Sequence, residues 1–213
     1  MIQRLFFGLL ILAAIAGCTP NDGYTYALIS TDFGDMKVKL YNSTPQHRDN
    51  FIKLASEGYY DGTLFHRVIS GFMIQGGDPD SRDAAPGVPL GAGGPGYTIP
   101  AEIGALHIKG ALAAARTNNP QKASSGSQFY VVHGKAQDDV MLQNAMNRSR
   151  RQYSEMQMNL YKELGGTPML DFEYTVFGEV VEGMDVIDAI AEVATAPGDR
   201  PLEDVKMTVK ILN

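Results

Sequence analysis

Alternating apolar and polar side chains predict β-strands along most of the chain. Residues 36–40 alternate strictly within a β-prone run at 36–41, and another β-prone run at 24–30 precedes them across a polar turn, which predicts a hairpin. Two short strands are predicted within 64–77, on either side of a turn at Ser70-Gly71. The remaining strand candidates are equally short and lie at residues 111–115, 128–132, 174–180 and 205–212.

Two helices are predicted among these strands. Thr44 is a favourable N-cap and Pro45 fits the first helical position, while Gly58 is placed to end this helix. Residues 184–193 form the second candidate. Many short strands with two helices are typical of a mainly β protein in which an antiparallel barrel is capped at its ends.

One further segment, residues 138–166, looks like an insertion between two strands. Its spacing predicts a single amphipathic helix of about 25 residues, roughly 37 Å long at 1.5 Å per residue. The apolar stripe consists of Leu142, Met146, Tyr153, Met156, Leu160 and Leu164. We favour a helix packed on the barrel. The alternative is an arm that docks a partner or guides substrate through a small basic face of Arg148, Arg150 and Arg151.

Composition and motifs exclude several functional classes. With 213 residues, 20% of them charged, the chain suits one globular domain. The formal net charge is −6 and no basic block occurs, so nucleic acid is not expected as a partner. The Gly-x-Gly-x-x-Gly match at 91–96 lies in a Gly- and Pro-rich loop at 80–96, without the strand and helix that a dinucleotide site needs.

Neither a metal nor a cofactor is indicated. The four histidines, at positions 47, 66, 107 and 133, lack the spacing of metal ligands. The serine-rich run at 124–127 lacks the strained elbow of a hydrolase nucleophile. We therefore expect no metal and no cofactor, and we expect a monomer.

The N-terminus has the proportions of a targeting signal. Arg4 precedes an apolar run at 5–16 that is too short to span a membrane comfortably. The run ends in Ile15-Ala16-Gly17-Cys18, and Cys18 is the chain's only cysteine, so it cannot form an internal disulfide. The segment resembles a bacterial lipoprotein signal. That resemblance implies removal of 1–17, lipidation of Cys18, a tether at 18–23 and a domain at 24–213. The alternative is an ordinary secretory signal.

The lipoprotein resemblance also predicts the protein's location. A lipid-anchored chain would lie in the bacterial cell envelope, held to a membrane through Cys18, because more than one acyl chain gives stable anchoring. Its partners would then be exported proteins.

The stretch FHRVISGFMIQGGDP at 65–79 carries the strongest chemical signal. A guanidinium is never neutral in a protein and is costly to desolvate alone, so Arg67 is either a surface residue or a donor held for a ligand. With GALAAARTN at 110–118, SSGSQFYVV at 124–132 and MLDFEYTVFGEVVEGMDVID at 169–188, this stretch resembles the cyclophilin family of peptidyl-prolyl isomerases.

The resemblance covers nearly all of 24–212 except the insertion. It implies an eight-stranded antiparallel barrel with a helix at each end and a groove on its outer face. By resemblance Arg67 is the catalytic arginine and Gln75 orients it. Phe72 is the third residue assigned to the catalytic group. The same resemblance places the other groove residues at Met73, Ala115, Arg116, Gln128, Tyr130, Met169, Leu170 and Tyr174. Phe72, Met73, Tyr130 and Leu170 would form the pocket for the proline ring.

Peptidyl-prolyl isomerisation suits this residue set. Rotating a peptide bond breaks no σ-bond, so it needs neither nucleophile nor cofactor, only groups that favour the twisted amide. The prolyl nitrogen becomes a hydrogen-bond acceptor when the amide twists, and a guanidinium N–H from Arg67 can donate to it. The alternative function is a module or chaperone that binds proline-containing segments with little catalysis.

Three groove-rim residues depart from the pattern of many relatives. Met169 stands where eukaryotic members carry tryptophan, and Tyr174 where they carry histidine. Phe172 replaces a glycine that usually follows Leu-Asp. Since phenylalanine tolerates positive φ poorly, we expect a different turn at this rim and an extra aromatic contact.

Overall fold

The computed structural model describes residues 22–212, and the expected signal segment and Cys18 lie outside that range. Residues 22–212 form a curled antiparallel sheet, a two-stranded ribbon and four α-helices, so the chain is mainly β as predicted. Within this range no helix is both long enough and apolar enough to cross a membrane.

Eleven strands occur in the described part of the chain. They are β1 (Thr25–Thr31), β2 (Gly34–Leu40), β3 (Thr63–Leu64), β4 (Arg67–Ile69), β5 (Met73–Gly76), β6 (Thr98–Ile99), β7 (Ala111–Ala114), β8 (Ser124–Ser125), β9 (Phe129–Val132), β10 (Val176–Glu182) and β11 (Lys206–Leu212). Nine of them form the main sheet, in the order β3-β11-β1-β2-β10-β7-β9-β5-β4, and β6 pairs with β8.

All eight strands of the predicted barrel are present, and β3 is an additional ninth strand of the sheet. The chain changes pairing partner at Phe65-His66, because β3 pairs with β11 and β4 pairs with β5. The two edge strands are therefore consecutive in the chain, which brings the edges of the curled sheet together. Two-residue strands such as β3, β6 and β8 are too short for a periodic signal in the sequence.

Helices α1 (Pro45–Ser56) and α4 (Met184–Ala191) pack against the main core, as the capped barrel predicted. Phe51 of α1 lies at the centre of an aromatic cluster, with ring centroids 5.6 Å from Phe129 and 5.5 Å from Phe177. Ile187 of α4 is fully buried in the same core.

Strand alternation gives the sheet a second apolar face. On β7, Leu112 and Ala114 join the main core, whereas Ala111 and Ala113 belong to a separate cluster. Tyr130 of β9 lies in that second cluster too, which we call the groove floor. Successive side chains of a strand point to opposite faces, so one short strand supplies both the core and the groove.

The insertion at 138–166 is helical, but it is two helices rather than the predicted one. Helix α2 runs from Asp139 to Ser149 and α3 from Glu155 to Leu164. Arg150 ends α2 in the left-handed conformation at φ 55°, and Ser154 starts α3. Ser154 and Gln157 form a complete capping box, so a new helix begins where the periodicity predicted a continuous one.

This break changes which residues of the predicted stripe are buried. Leu142, Met146 and Tyr153 are buried together, as a helix packed on the barrel requires. Met156 is 73% exposed and Leu164 is 50% exposed, so the second half of the stripe does not continue. Tyr161, which the stripe did not include, is fully buried in its place.

Candidate active site

A pocket of about 110 Å³ opens on the groove floor. It brings together nine of the eleven residues that the sequence assigned to the site, all but Gln128 and Met169. The lining residues are Arg67, Phe72, Met73, Gln75, Ala115, Arg116, Tyr130, Leu170 and Tyr174. Met73, Ala115 and Tyr130 are buried, so the floor is apolar and rigidly supported by β5 and β9.

Arg67 is the charged residue of β4 at this pocket. Its Nε donates a hydrogen bond to Asp199 Oδ2 at 3.2 Å, and both side chains are 42% exposed. Asp199 adopts φ 66°, in the left-handed region. Nothing in the sequence pointed to Asp199, because it lies 132 residues from Arg67 in a loop without a recognised motif.

Gln75 lies opposite Arg67 in the β4–β5 register. Its amide nitrogen donates to Gln128 Oε1 at 3.1 Å. The Arg67 guanidinium donates to the carboxylate of Asp199 instead of bonding to Gln75. Gln128 in turn donates to the carbonyl oxygens of Gly91 at 3.0 Å and Gly93 at 2.7 Å. Gln128 therefore ties the 80–96 loop to the groove, and the predicted orienting role of Gln75 stays a prediction.

Arg116 and Tyr174 form the opposite rim. The Arg116 guanidinium stacks 4.6 Å from the centroid of the Tyr174 ring. It also donates to the Glu173 backbone oxygen at 3.0 Å and to the Glu173 carboxylate at 3.1 Å. Met169 is 54% exposed and lines an adjoining pocket with Leu170 rather than the proline-sized one.

A buried polar network lies behind the groove floor. The His107 ring is 3.0 Å from the Tyr130 hydroxyl through Nε2 and 2.8 Å from Asp171 Oδ1 through Nδ1. Asp171 Oδ2 accepts from the hydroxyls of Tyr153 at 2.7 Å and Tyr161 at 2.6 Å. Burial raises the pKa of the Tyr130 phenol well above its ordinary value, so that group stays neutral. The network connects the pocket to the insertion.

Phe172, next to Asp171, corrects one expectation. The residue adopts φ 65°, the left-handed conformation that a phenylalanine was expected to avoid. The extra aromatic contact is present. The Phe172 ring stacks on Tyr153 at 6.3 Å between centroids, and the Arg151 guanidinium lies 5.6 Å above it. These contacts with the insertion offset the strain, about 1–2 kcal/mol for a left-handed residue with a side chain.

His66, in the signature stretch, is buried and does not line the proline-sized pocket. Within residues 22–212 neither of its ring nitrogens makes a hydrogen bond, and burial lowers its pKa. Among residues 22–212, no three His, Cys, Asp or Glu side chains come together in a way that would hold a metal ion.

The fold and the pocket define a class of protein: a curled antiparallel β-sheet with an apolar pocket on its outer face and a guanidinium at the pocket's mouth. A family model described as Cyclophilin type peptidyl-prolyl cis-trans isomerase/CLD matches residues 26–211. The chain belongs to this family and is an enzyme of the peptidyl-prolyl cis-trans isomerase type.

Two relatives agree with this assignment. A protein of Staphylococcus aureus (strain USA300), which carries the name of a peptidyl-prolyl cis-trans isomerase, is 36% identical over 186 residues, covering 87% of this chain and 90% of the relative. One from Staphylococcus saprophyticus with the same name is 38% identical over 184 residues, or 84% and 86% of the two chains.

The fold likeness extends to a crystal structure of a cyclophilin type peptidyl-prolyl cis-trans isomerase from Cryptosporidium parvum. It covers 89% of this chain and 98% of that one, with a TM-score of 0.65 at 24% identity. A second structure of that protein, determined in the presence of the dipeptide Ala-Pro, gives a TM-score of 0.63 and covers 88% and 99% of the two chains at 24% identity.

Proposed function

We propose that this isomerase accelerates rotation about X-Pro bonds by donating a hydrogen bond from Arg67 to the prolyl nitrogen of the twisted amide. The observation that carries the proposal is the placement of a half-exposed guanidinium at a pocket whose floor is apolar. The presence of Ala-Pro in one structure of a protein with the same fold supports a proline-containing peptide as the ligand.

The physical basis lies in the difference between planar and twisted amides. Resonance gives the planar C–N bond double-bond character and a rotation barrier of about 18–20 kcal/mol. In the planar form the nitrogen lone pair is delocalised, and it becomes an acceptor only as the amide twists. A donor aimed at that nitrogen therefore binds the transition state better than either ground state, which is the condition for catalysis.

The strength of this single interaction sets the expected effect. A hydrogen bond to a charged group contributes about 1.5–3 kcal/mol, which corresponds to roughly ten- to a hundredfold in rate. The apolar walls formed by Met73, Tyr130 and Leu170 would exclude water from the donor and so preserve its strength. No group in this scheme needs to form a covalent bond.

Asp199 contributes by holding the guanidinium. It accepts from Arg67 Nε, while the two terminal nitrogens of Arg67 have no hydrogen-bond partner among residues 22–212. A guanidinium has five N–H donors in a fixed fork, so fixing one edge sets the direction of the other donors. We therefore assign Asp199 as a positioning residue for Arg67.

The test compares the wild-type protein with Arg67→Ala on a short X-Pro peptide, using exchange NMR with protein at far lower concentration than peptide. The proposal expects fast cis–trans exchange that falls at least tenfold in the variant. Slow exchange in both proteins, with peptide binding retained, would instead support the alternative of a proline-binding module.

We further propose that the protein is lipid-anchored at Cys18 in the cell envelope and assists the folding of exported proteins. The support is the lipobox-like sequence before Cys18. Mass spectrometry of the protein expressed in bacteria, with Cys18→Ser as control, tests this. The proposal expects an acylated N-terminal Cys18 and membrane fractionation that the variant loses. An unmodified Cys18 in the soluble fraction would refute it.

A further inference from the structure

A second, larger pocket adjoins the proline-sized one, and the insertion builds part of it. It has a volume of about 420 Å³ and shares Arg116, Leu170 and Tyr174 with its smaller neighbour. Its other side is formed by Arg148 and Ser149 of α2. We call it the rim pocket.

The rim pocket lies where a bound polypeptide would continue. The proline-sized pocket has room for little more than one ring, whereas an extended chain advances about 3.3–3.6 Å per residue. A peptide with its proline at Tyr130 must therefore leave that pocket over one of its walls. Met169, which follows this route next to Leu170 of the shared wall, lines the rim pocket, is 54% exposed and offers apolar surface to a neighbouring residue of the peptide.

The carboxylates of the rim pocket already have partners. Glu173 accepts from Arg116 at 3.1 Å and from Lys122 at 2.8 Å. Asp171 is buried and accepts from His107 and two tyrosine hydroxyls. Neither carboxylate is free to attract a cation from the substrate.

Counting partners among the described residues, the one charge of the rim pocket left without a partner is positive. Arg148 is exposed at the last turn of α2 and has no ion-pair or hydrogen-bond partner among residues 22–212. Arg150 and Arg151 follow directly, and the Arg151 guanidinium covers Phe172. The local excess of guanidinium groups contrasts with the formal net charge of −6 of the whole chain.

We propose that the rim pocket is a substrate subsite that takes an acidic side chain, Asp or Glu, near the X-Pro bond, with Arg148 as its specificity residue. The inference rests on the proposed function, since it assumes that the groove holds a proline-containing peptide. It gives the insertion a role in substrate selection, because α2 supplies the unpaired guanidinium.

The experiment uses pairs of X-Pro peptides that differ only by Glu against Gln. The substituted position runs from three residues before the proline to three after it. For the wild-type protein, dissociation constants and exchange rates are measured for each pair. At one position or more, we expect the Glu peptide to be favoured roughly two- to fivefold, as for an exposed ion pair, and less so at high salt.

Three variants show whether Arg148 is responsible. Arg148→Gln should bring the Glu-to-Gln ratio close to one, and Arg148→Glu should invert it. Lys53→Gln removes the same charge from α1, outside both pockets, and should leave the ratio unchanged. Because each ratio is taken within one variant, a general loss of folding or activity cancels.

The outcomes separate this inference from the proposed function. Exchange acceleration with equal Glu and Gln peptides at all positions would overturn the subsite and leave the isomerase intact. If no peptide is accelerated, the ratio of dissociation constants still decides the subsite. A Glu preference that persists in Arg148→Gln would place the selectivity elsewhere and contradict the proposal.

Discussion

The groove floor and the insertion at 138–166 face the same rim but are built in different ways. The groove floor takes its residues from neighbouring strands, where alternation and register place Met73, Ala113 and Tyr130 on one face. The insertion packs through the buried apolar cluster that includes Leu142 and Met146, and through two tyrosine hydroxyls that meet one buried carboxylate, Asp171. Strand geometry positions the first region, and a polar network holds the second against it.

The two regions should therefore differ in how strongly a single substitution lowers their stability. A side chain on the groove floor is supported by backbone pairing that does not depend on any single neighbour. The insertion depends on Asp171, whose two oxygens accept from His107, Tyr153 and Tyr161. Removing the Asp171 carboxylate would leave these buried donors unpaired, and each unpaired buried donor lowers the free energy of unfolding.

The largest effect on stability should follow from Asp171→Ala. Loss of a buried, multiply bonded carboxylate is expected to lower the free energy of unfolding by about 3–5 kcal/mol. Urea denaturation measures it. Tyr161→Phe, which removes one hydroxyl from the same network, should cost only about 1 kcal/mol. Equal and small losses in both variants would show that the network does not hold the insertion.

A smaller, pH-dependent effect should follow from His66→Leu on the groove side. Burial lowers the pKa of His66, so the folded protein binds fewer protons than the unfolded chain between the lowered pKa and about 6.5. Its contribution to stability is complete above about pH 6.5 and is lost as the pH falls toward the lowered pKa.

Denaturation of wild type and His66→Leu at pH 7.5 and pH 5 tests this expectation. The variant should lose less stability on acidification, by about 1.4 kcal/mol for each pH unit between 6.5 and whichever is higher, the lowered pKa or pH 5. At pH 7.5 the substitution should be nearly neutral, because neither ring nitrogen makes a hydrogen bond within the described range 22–212. A variant as acid-sensitive as the wild type would contradict the assignment.

The smallest effect is expected at Asp199. Glycine adopts φ 66° without strain, so Asp199→Gly removes the carboxylate while keeping the backbone and the stability. The bound-state exchange rate should fall roughly two- to fivefold, the range of an exposed ion pair, with the peptide dissociation constant unchanged. Asp199→Asn keeps an acceptor for Nε and should restore part of the rate. A change in affinity alone would argue against positioning.

On the groove side, the family resemblance carried by the motif at 65–79 assigned Arg67, Met73 and Gln75 to one site. The structure brings them together because side chains two residues apart on a strand share a face and the β4–β5 register sets Gln75 opposite Arg67. The contact between Asp199 and Arg67 was not predicted, because two residues 132 positions apart leave no local pattern in the sequence.

On the insertion side, apolar spacing predicted helix but not its interruption. The capping box at Ser154 and Gln157 was a readable signal that the continuous stripe obscured. The pairing of His107 with Asp171 had no such signal, since it depends on the tertiary structure. The left-handed Phe172 likewise depends on Tyr153 and Arg151, which only the folded insertion brings to it.

The most direct test of the central claim is the rate of cis–trans exchange of an X-Pro peptide bound to Arg67→Ala, measured with its dissociation constant. If Arg67 acts on the twisted amide, the bound-state rate falls at least tenfold while the dissociation constant changes little, because the interaction exists only in the transition state. An unchanged bound-state rate, with or without weaker binding, would contradict an arginine-assisted isomerase.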